Sequence, residues 1–265
     1  MTLRVFSFGG GVQSTAALVL AARGEIDYRE FVFANVGEDS ENPATLRYLE
    51  AHSRPYADAH GLTLHEIRKT RFKAPDTLLA STLRNTRSIN IPLRDGGGMP
   101  GRRNCTADFK IEPIAAWQKS RGATAGDPAM TGMGISVDEV HRMRRESGFA
   151  WQRLDYPLVR LRLTRAECRR IIQRAGLPVP PKSSCWFCPF HSAHQWAALQ
   201  RETPDLFEQA AELEQTLSAR NVRIGRVPVY LTGAGKPLRE VVKDGGQLPL
   251  FEEGPDACET GYCMT

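Results

Sequence analysis

No apolar run in this 265-residue sequence reaches the length that a membrane-spanning helix requires. The first residues, Met1–Arg4, carry no signal-peptide pattern and lead directly into an apolar segment. We therefore expect a cytoplasmic protein without a membrane partner. Cysteine is scarce, at six residues, and in a cytosolic chain such thiols favour metal or redox chemistry over structural disulfides.

Two common phosphate-binding signatures are missing. A glycine turn, residues 9–11, follows the apolar run Leu3–Phe8, but no lysine follows it as in a Walker A loop, and the pattern Gly-x-Gly-x-x-Gly is not formed. The turn still leads into the apolar run Ala16–Ala22, which we interpret as a buried helix. A strand, a glycine turn and a helix N-terminus present backbone N–H groups to a phosphate. The sequence therefore predicts a phosphate site that includes the Ser14 and Thr15 hydroxyls.

Acidic residues are outnumbered, and the formal net charge is +5. Because arginine binds phosphate in a bidentate manner, the excess predicts either a solvated basic surface or a polyanionic partner, a nucleotide or a nucleic acid. Most of these cations are arginines in two blocks: Arg84, Arg87, Arg94, Arg102, Arg103 and Lys110, then Arg142, Arg144, Arg145, Arg153, Arg160, Arg162, Arg165, Arg169, Arg170 and Arg174.

Strand patterns alternate with helical patterns over the first half of the chain. This order predicts a three-layer α/β/α fold with a mainly parallel sheet. Ligands of such sheets bind at the carboxyl ends of the strands, where the glycine turn and Asn35-Val36-Gly37-Glu38 both lie. The predicted strands are Leu3–Phe8, Glu30–Val36, Leu62–Ile67 and Ala129–Gly134, and the predicted helices are Gln13–Arg23 and Thr45–His60.

The sequence predicts three parts. Residues 1–160 form the nucleotide-binding α/β domain, residues 161–232 a helical extension with a Cys-x-x-Cys pair, and residues 233–265 a loosely packed tail. Thr164 and Glu167 predict a capping box, and Thr203-Pro204 predicts the start of another helix.

The segment Gly9–Ser14 resembles the PP-loop of the adenine nucleotide alpha hydrolase-like superfamily, which has a HUP-like fold. This superfamily includes the N-type ATP pyrophosphatases and the phosphoadenosine phosphosulfate reductases. Its usual loop is Ser-Gly-Gly-x-Asp-Ser, so that Gly9 stands at the first serine and Gln13 at the aspartate. A glutamine at this place resembles the reductase-like branch, and it removes the carboxylate through which that aspartate would bind a metal.

Four further segments resemble the same superfamily, and together they extend the likeness over about residues 5 to 191. They are Phe33–Glu38 with Thr45; Cys105–Pro113; Gly132–Gly134 with Asp138, Glu139 and Arg142; and the reductase-like run of Tyr156–Leu158, Gly176–Pro178 and Ser184–Phe190.

The resemblance implies a site for ATP or, alternatively, phosphoadenylyl sulfate. Glu38 or Glu139 would hold Mg²⁺ in the ATP case, and Lys110 with an arginine from Arg102, Arg103 or Arg142 would supply positive charge. The implied catalytic residues are Ser14, Glu38, Lys110 and Arg142. The implied nucleotide-binding residues are Ser7, Gly9, Gly10, Gly11, Val12, Gln13, Ser14, Thr15, Asn35, Gly37 and Gly132.

Cys185-x-x-Cys188 has a spacing that suits two ligands of one metal or cluster, which is half of a tetrahedral site. Cys105 and His191 are the leading candidates for the other ligands, beside His194, Cys258 and Cys263. Related thiolation enzymes and reductases carry a [4Fe–4S] cluster, which is the first prediction. Zinc, a dithiol redox pair, and two packed cysteines without metal are the alternatives.

These features predict an ATP pyrophosphatase in sulfur transfer to nucleic acid, such as DNA phosphorothioation or tRNA thiolation, with DNA or a sulfur-carrier protein as partner. A sulfonucleotide reductase is the first alternative, although the Glu-Cys-Gly context of the reductases' C-terminal cysteine is absent around Cys258 and Cys263. A non-catalytic nucleotide- or DNA-binding module is the second. The segment Gln247–Phe251 resembles the motif that docks on the bacterial sliding clamp, which would favour DNA.

Overall fold

The computed structural model describes residues 2–84 and 86–243. The predicted clamp motif Gln247–Phe251, Cys258 and Cys263 lie outside the described residues. Within the described part no helix is both long and apolar enough to cross a membrane.

Five parallel strands form the central sheet, in the spatial order β3-β2-β1-β6-β7. The connections from β1 to β2 and β3 run toward one edge, whereas β6 and β7 lie on the other side of β1. The loop after β1 therefore lies at the point where the strand order reverses, where open α/β sheets bind their ligands. The strands are β1 (Arg4–Ser7), β2 (Glu30–Asn35), β3 (Thr63–Arg68), β6 (Ala129–Met133) and β7 (Gln152–Asp155), and a separate hairpin pairs β4 (Thr70–Arg71) with β5 (Ala74–Pro75).

The helices are α1 (Val12–Ala22), α2 (Pro43–Tyr48), α3 (Arg54–Ala59), α4 (Leu78–Leu83), α5 (Asn104–Thr106), α6 (Glu112–Ser120), α7 (Pro157–Arg160), α8 (Arg165–Arg174), α9 (Ala193–Glu202), α10 (Pro204–Arg223) and α11 (Leu238–Lys243). Two π-helical turns, Leu49–Ser53 and Ala107–Ile111, and one 3₁₀ segment, Val137–Arg142, complete the regular structure.

Both faces of the sheet are covered, which confirms the predicted three-layer α/β/α architecture. Phe6 and Phe31 point to the face on which α1 and α8 pack, whereas Val5 and Val32 point to the face that carries Ile114 of α6. Alternate residues of a strand face opposite sides, so these apolar strands are buried on both. The helical C-terminal region with its cysteines is confirmed as well.

The described residues divide into two compact units, one of residues 2–77 with 108–184 and the other of residues 78–84 and 86–107 with 185–243. The first contains the sheet. The second consists mainly of α9 and α10, with α4, α5 and α11. In this unit the buried Glu214 carboxylate accepts the backbone N–H groups of Leu231 at 2.6 Å and Leu238 at 2.8 Å, which fixes the segment between them. The predicted boundaries at residues 160 and 232 stay a prediction.

Most predicted elements are confirmed within two residues of their ends. The helix predicted over Thr45–His60 is confirmed as one continuous helical segment over residues 43–59, in which the π-helical turn Leu49–Ser53 lies between α2 and α3. Strand β7 escaped prediction because Gln152–Asp155 is polar and too short for a period to show. The Thr164–Glu167 capping box forms as predicted, with the Glu167 backbone N–H donating to Thr164 Oγ1 at 3.2 Å.

Candidate nucleotide-binding site

The glycine turn joins the carboxyl end of β1 to the first turn of α1. Gly10 has a φ of 74°, a conformation that residues with a side chain rarely adopt. Ser14 Oγ accepts the Gly11 N–H at 3.1 Å and donates to the Gly11 carbonyl at 3.0 Å, which holds the turn against the helix. The first N–H groups of a helix have no intrahelical acceptor, so the amides of this turn suit an anion.

Three segments of the same unit surround the turn. Ser183 Oγ donates a hydrogen bond to the Gly9 carbonyl. A Cβ placed on Gly10 would lie 3.0 Å from Thr45 Cγ2, and one on Gly134 would lie 3.4 Å from the Ser14 backbone nitrogen. Ser183 was missed by sequence reasoning, because the packing of the 180–184 segment on the loop has no local signature.

Two hydroxyls beside the turn are buried without a hydrogen bond. Thr15 Oγ1 and Thr45 Oγ1 both have no partner within the described part of the chain. A buried hydroxyl without a partner is costly, so its retention next to helix N–H groups suits a phosphate oxygen. A Cβ on Gly9 would meet no atom within 4 Å, so the loop is open on that side. The predicted residues Gly9 to Thr15 are thus brought together in an arrangement that fits a phosphate.

Both ends of the Gln13 side-chain amide form hydrogen bonds with other side chains. Its Nε2 donates to Glu139 Oε2 at 3.0 Å, and its Oε1 accepts from Arg165 Nη1 at 3.0 Å. Arg142 Nη1 lies 2.6 Å from the same Glu139 Oε2, with both side chains buried. The amide thus joins the Glu139–Arg142 ion pair to Arg165. We call Gln13, Glu139, Arg142 and Arg165 the amide-bridged network.

Burial raises the pKa of Glu139, while the charges of Arg142 and Arg165 and the hydrogen bond from Arg142 act to lower it. Glu139 Oε1 and Arg142 Nε are buried and make no hydrogen bond among the described residues. The network therefore contains one carboxylate oxygen and one guanidinium N–H without a hydrogen-bond partner among the described residues, close to the glycine turn. Predicted residues Gln13, Glu139 and Arg142 are brought together here, and Arg165 was missed as their partner.

The turn after β2 is shaped by Asn35. Its Oδ1 accepts the Gly37 N–H at 2.8 Å, and its Nδ2 donates to Glu66 Oε1 at 2.9 Å. Gly37 has a φ of 117°, and a Cβ there would lie 2.5 Å from Asp39 Oδ1. Glu38, the predicted Mg²⁺ ligand, is exposed and forms a two-pronged ion pair with Arg68. Asn35 and Gly37 thus shape the turn, whereas the carboxylate of Glu38 is paired with Arg68.

Ser7 ends β1 and is buried, and Val12 packs in the core. Gly132 lies in β6 beneath two aromatic rings. A Cβ there would come within 2.5 Å of the Phe6 ring and 2.8 Å of the Tyr28 ring, so packing alone requires glycine at this position.

Glu41 is the residue that sequence reasoning overlooked most clearly. It is 0 % exposed, and neither carboxylate oxygen makes a hydrogen bond of normal geometry in the described structure. Burial raises its pKa, which the ammonium of Lys110 and the Val36 N–H partly offset. Its backbone N–H donates to the Gly37 carbonyl at 2.8 Å, so it lies on the turn after β2. Burying a carboxyl group without a hydrogen bond is unfavourable, and Glu41 interacts electrostatically with the predicted Lys110. Glu41 is therefore a candidate functional residue.

Replacing Glu41 by glutamine is expected to change how stability depends on pH. Because the folded-state pKa is raised, the folded protein binds the proton more tightly, and stability falls as the pH rises above the ordinary value of 4.5. The wild type should therefore lose about 1–3 kcal/mol relative to Glu41→Gln between mildly acidic and neutral pH. Urea unfolding across this range measures it, with the exposed Glu146→Gln as control. Parallel pH curves for wild type and Glu41→Gln would contradict it.

The predicted metal ligands lie in the second unit. Backbone bonds connect Cys188 N–H to the Cys185 carbonyl at 3.2 Å and His191 N–H to the Cys188 carbonyl at 3.0 Å, so these residues follow successive turns. The Cys105 N–H donates to the Asn90 carbonyl at 2.8 Å. Among residues 2–84 and 86–243 no three His, Cys, Asp or Glu side chains gather as a metal site. The predicted set of Cys105, Cys185, Cys188 and His191 is thus not assembled there.

Comparison with known proteins finds no match among family models or curated proteins and a similar fold among solved structures. Among solved structures, the chain is similar to the phosphoadenylyl-sulfate (PAPS) reductase from Candida auris in its phosphate complex. The two are 14 % identical, with a TM-score of 0.45 over 68 % of this chain and 76 % of the other.

Proposed function

We propose that the chain is a PP-loop enzyme that binds an adenine nucleotide at residues 9–15 and cleaves a bond of its 5′-phosphate chain. In the first candidate function it is an ATP pyrophosphatase. An acceptor oxygen attacks the α-phosphorus, the bond to the β-phosphate breaks, and pyrophosphate leaves with the electron pair. A sulfur nucleophile then displaces AMP from the activated acceptor, a nucleic acid. The observation that carries this proposal is the glycine turn at the reversal of strand order, flanked by the unpartnered hydroxyls of Thr15 and Thr45.

This chain's residues have distinct tasks in that reaction. The loop N–H groups would hold the phosphate oxygens on which negative charge develops. Lys110 and the unpartnered Nε of Arg142 would add positive charge. Mg²⁺, which would neutralise the leaving pyrophosphate, usually needs one or two carboxylates besides phosphate oxygens, and the free Oε1 of Glu139 fits one such ligand. Glu38 would first have to leave Arg68.

A second candidate function is a sulfonucleotide reductase, which forms sulfite from phosphoadenylyl sulfate with a thiol as reductant. Gln13 supports it specifically, because a neutral amide held between Glu139 and Arg165 stands where the ATP-using relatives carry an aspartate. A nucleotide that is cleaved without a metal-binding carboxylate in the loop is compatible with this arrangement.

One experiment separates the candidates. The purified full chain is incubated with ATP and Mg²⁺ plus DNA or tRNA, and separately with phosphoadenylyl sulfate and thioredoxin, while pyrophosphate and sulfite are measured. Pyrophosphate without sulfite supports the first candidate, and sulfite supports the second. Neither product, together with nucleotide binding, would leave a non-catalytic binding module and overturn both enzymatic proposals.

Replacing Gly9 by valine is expected to weaken nucleotide binding about tenfold or more without lowering thermal stability, because the loop backbone must approach the phosphate closely. A Cβ at Gly9 meets no atom of the described residues within 4 Å, and the same holds at Gly148, which makes Gly148→Val a matched control. Titration calorimetry with ATP and with phosphoadenylyl sulfate measures the effect. Equal affinities for Gly9→Val and the control would place the nucleotide elsewhere.

Several finer predictions stay proposals. DNA is preferred over tRNA as acceptor, a sulfur-carrier protein is an alternative partner, and a sliding clamp would bind Gln247–Phe251, outside the described residues. A [4Fe–4S] cluster, or alternatively zinc, at Cys185 and Cys188 also stays a proposal; among the described residues no three His, Cys, Asp or Glu side chains gather as its ligands, and no step proposed above is routed through it.

A further inference from the structure

The hairpin of β4 and β5 carries the most exposed large apolar side chain of the described residues. Phe72 lies at its tip and is 89 % exposed. The two short strands pair Thr70 with Pro75 and Arg71 with Ala74, which leaves Phe72 and Lys73 as a two-residue turn. The ring therefore contributes almost nothing to the core, and burial on folding does not account for it.

The backbone of this turn is unfavourable for its residues. Phe72 has a φ of 50° and Lys73 a φ of 66°, so both occupy the left-handed region. Two-residue hairpin turns of this kind strongly prefer Asn-Gly or Asp-Gly. Side chains in such conformations cost about 1–3 kcal/mol each, and they are found mostly at functional sites. An exposed phenylalanine and a lysine at this position thus destabilise the fold without a packing gain.

Cations flank Phe72 in the sequence, and one of them contacts its ring. The Arg71 guanidinium lies 5.0 Å from the centroid of the Phe72 ring, and both Arg71 and Lys73 are exposed. Neither forms an ion pair with any described residue. No acidic residue occurs between Glu66 and Asp76, so the charged side chains of the hairpin itself are all positive.

We propose that the hairpin tip Arg71-Phe72-Lys73 binds single-stranded nucleic acid, with Phe72 stacked on an unpaired base and the two cations on adjacent phosphates. Every base offers a π-face, and a ring raised above the surface reaches it only where the base is unstacked from its neighbours. A protein groove or a lipid surface would require a broader apolar patch, whereas here one ring stands between two cations. The proposal rests on the nucleic-acid acceptor of the proposed function.

The test is fluorescence anisotropy of the full chain with labelled single-stranded DNA and RNA of about 20 nucleotides, and with the matching duplex, without ATP. Phe72→Ala is expected to weaken single-strand binding about 5- to 150-fold, and Phe72→Trp to preserve it. Arg71→Gln or Lys73→Gln should reduce the slope of log affinity against log salt by about 0.7 each. Arg223→Gln, an equal charge change at an exposed helix end outside both arginine blocks, provides the control.

The proposal would be overturned by no binding of the wild type at low salt, an unchanged affinity in Phe72→Ala, an equal loss for the duplex, or an equal loss in Arg223→Gln. Restoration by Phe72→Leu would also overturn it, because leucine keeps the apolar surface without an aromatic face and would indicate a protein or lipid partner. Since the assay contains no ATP, its failure leaves the nucleotide chemistry standing. Loss of pyrophosphate release with intact strand binding would count against the nucleotide chemistry alone.

Discussion

Replacing Arg142 by methionine is expected to lower the free energy of unfolding by about 3–5 kcal/mol at neutral pH. The substitution leaves the Glu139 carboxylate buried, 2.6 Å from where the guanidinium stood, with the Gln13 amide as hydrogen-bond donor, Arg165 as the remaining positive charge and Asp138 as an opposing negative charge. Burial already raises the pKa of Glu139, and loss of Arg142 raises it further. A carboxyl group whose pKa is raised in the folded state makes the protein less stable as pH rises. The difference in unfolding free energy between wild type and Arg142→Met should therefore be largest at neutral pH and become smaller toward pH 4.5.

Two variants make this measurement specific. Arg160→Met removes the largely exposed partner of Asp155, 2.5 Å away, and should cost less than about 1 kcal/mol. The double variant Glu139→Gln/Arg142→Met removes both buried charges and should recover most of the lost stability. Urea unfolding followed by circular dichroism compares all of them. A double variant as unstable as Arg142→Met would show that the cost comes from lost packing of the arginine stem.

The sheet could be predicted from the sequence because its inner strands are buried on both faces and are therefore nearly continuously apolar, as in Phe31–Ala34. The order of the strands could not, because it depends on which edge each crossover reaches. Strand β7 lies at one edge of the sheet. It is linked to the rest of the fold by a contact between residues distant in sequence, because Asp155 accepts a hydrogen bond from the Tyr28 hydroxyl at 2.6 Å. Local patterns therefore predicted the elements, and long-range pairing decided their arrangement.

The site shows the same division. The loop residues Gly9 to Ser14 are contiguous, so a local motif was sufficient to find them. The partners of Gln13 are distant in sequence, since Glu139 and Arg165 lie on other elements and neither has a distinctive spacing. Glu41 was missed because a glutamate before a helix normally indicates an exposed residue, and its burial follows from tertiary packing. Glu38, which local reasoning favoured, is engaged with Arg68.

Replacing Gln13 by glutamate is expected to destabilise the protein by about 2–4 kcal/mol at neutral pH. Glutamate is nearly isosteric with glutamine. One of its carboxylate oxygens would therefore stand where the Gln13 amide nitrogen now lies, about 3 Å from Glu139 Oε2. Two carboxylates this close share a proton and titrate as a pair with one raised pKa. Stability should therefore fall as pH rises, more steeply than in the wild type. If the proposed nucleotide binds at the glycine turn, the added negative charge should also weaken its binding about tenfold.

The swap variant Gln13→Glu/Glu139→Gln decides whether charge or shape causes this loss. It keeps one carboxylate and one amide in contact but exchanges their positions, so that Arg165 faces the carboxylate and Arg142 the amide. We expect recovery to within about 1 kcal/mol of the wild type, because the carboxylate pair is gone and each arginine retains an acceptor. Gln13→Met, which removes the hydrogen bonds without adding charge, should lie between. If the swap variant stays as unstable as Gln13→Glu, the loss of stability comes from a change in the shape of the amide-bridged network and not from the contact of two carboxylates. If it recovers stability while nucleotide binding stays weak, the neutral amide at position 13 is what the nucleotide requires.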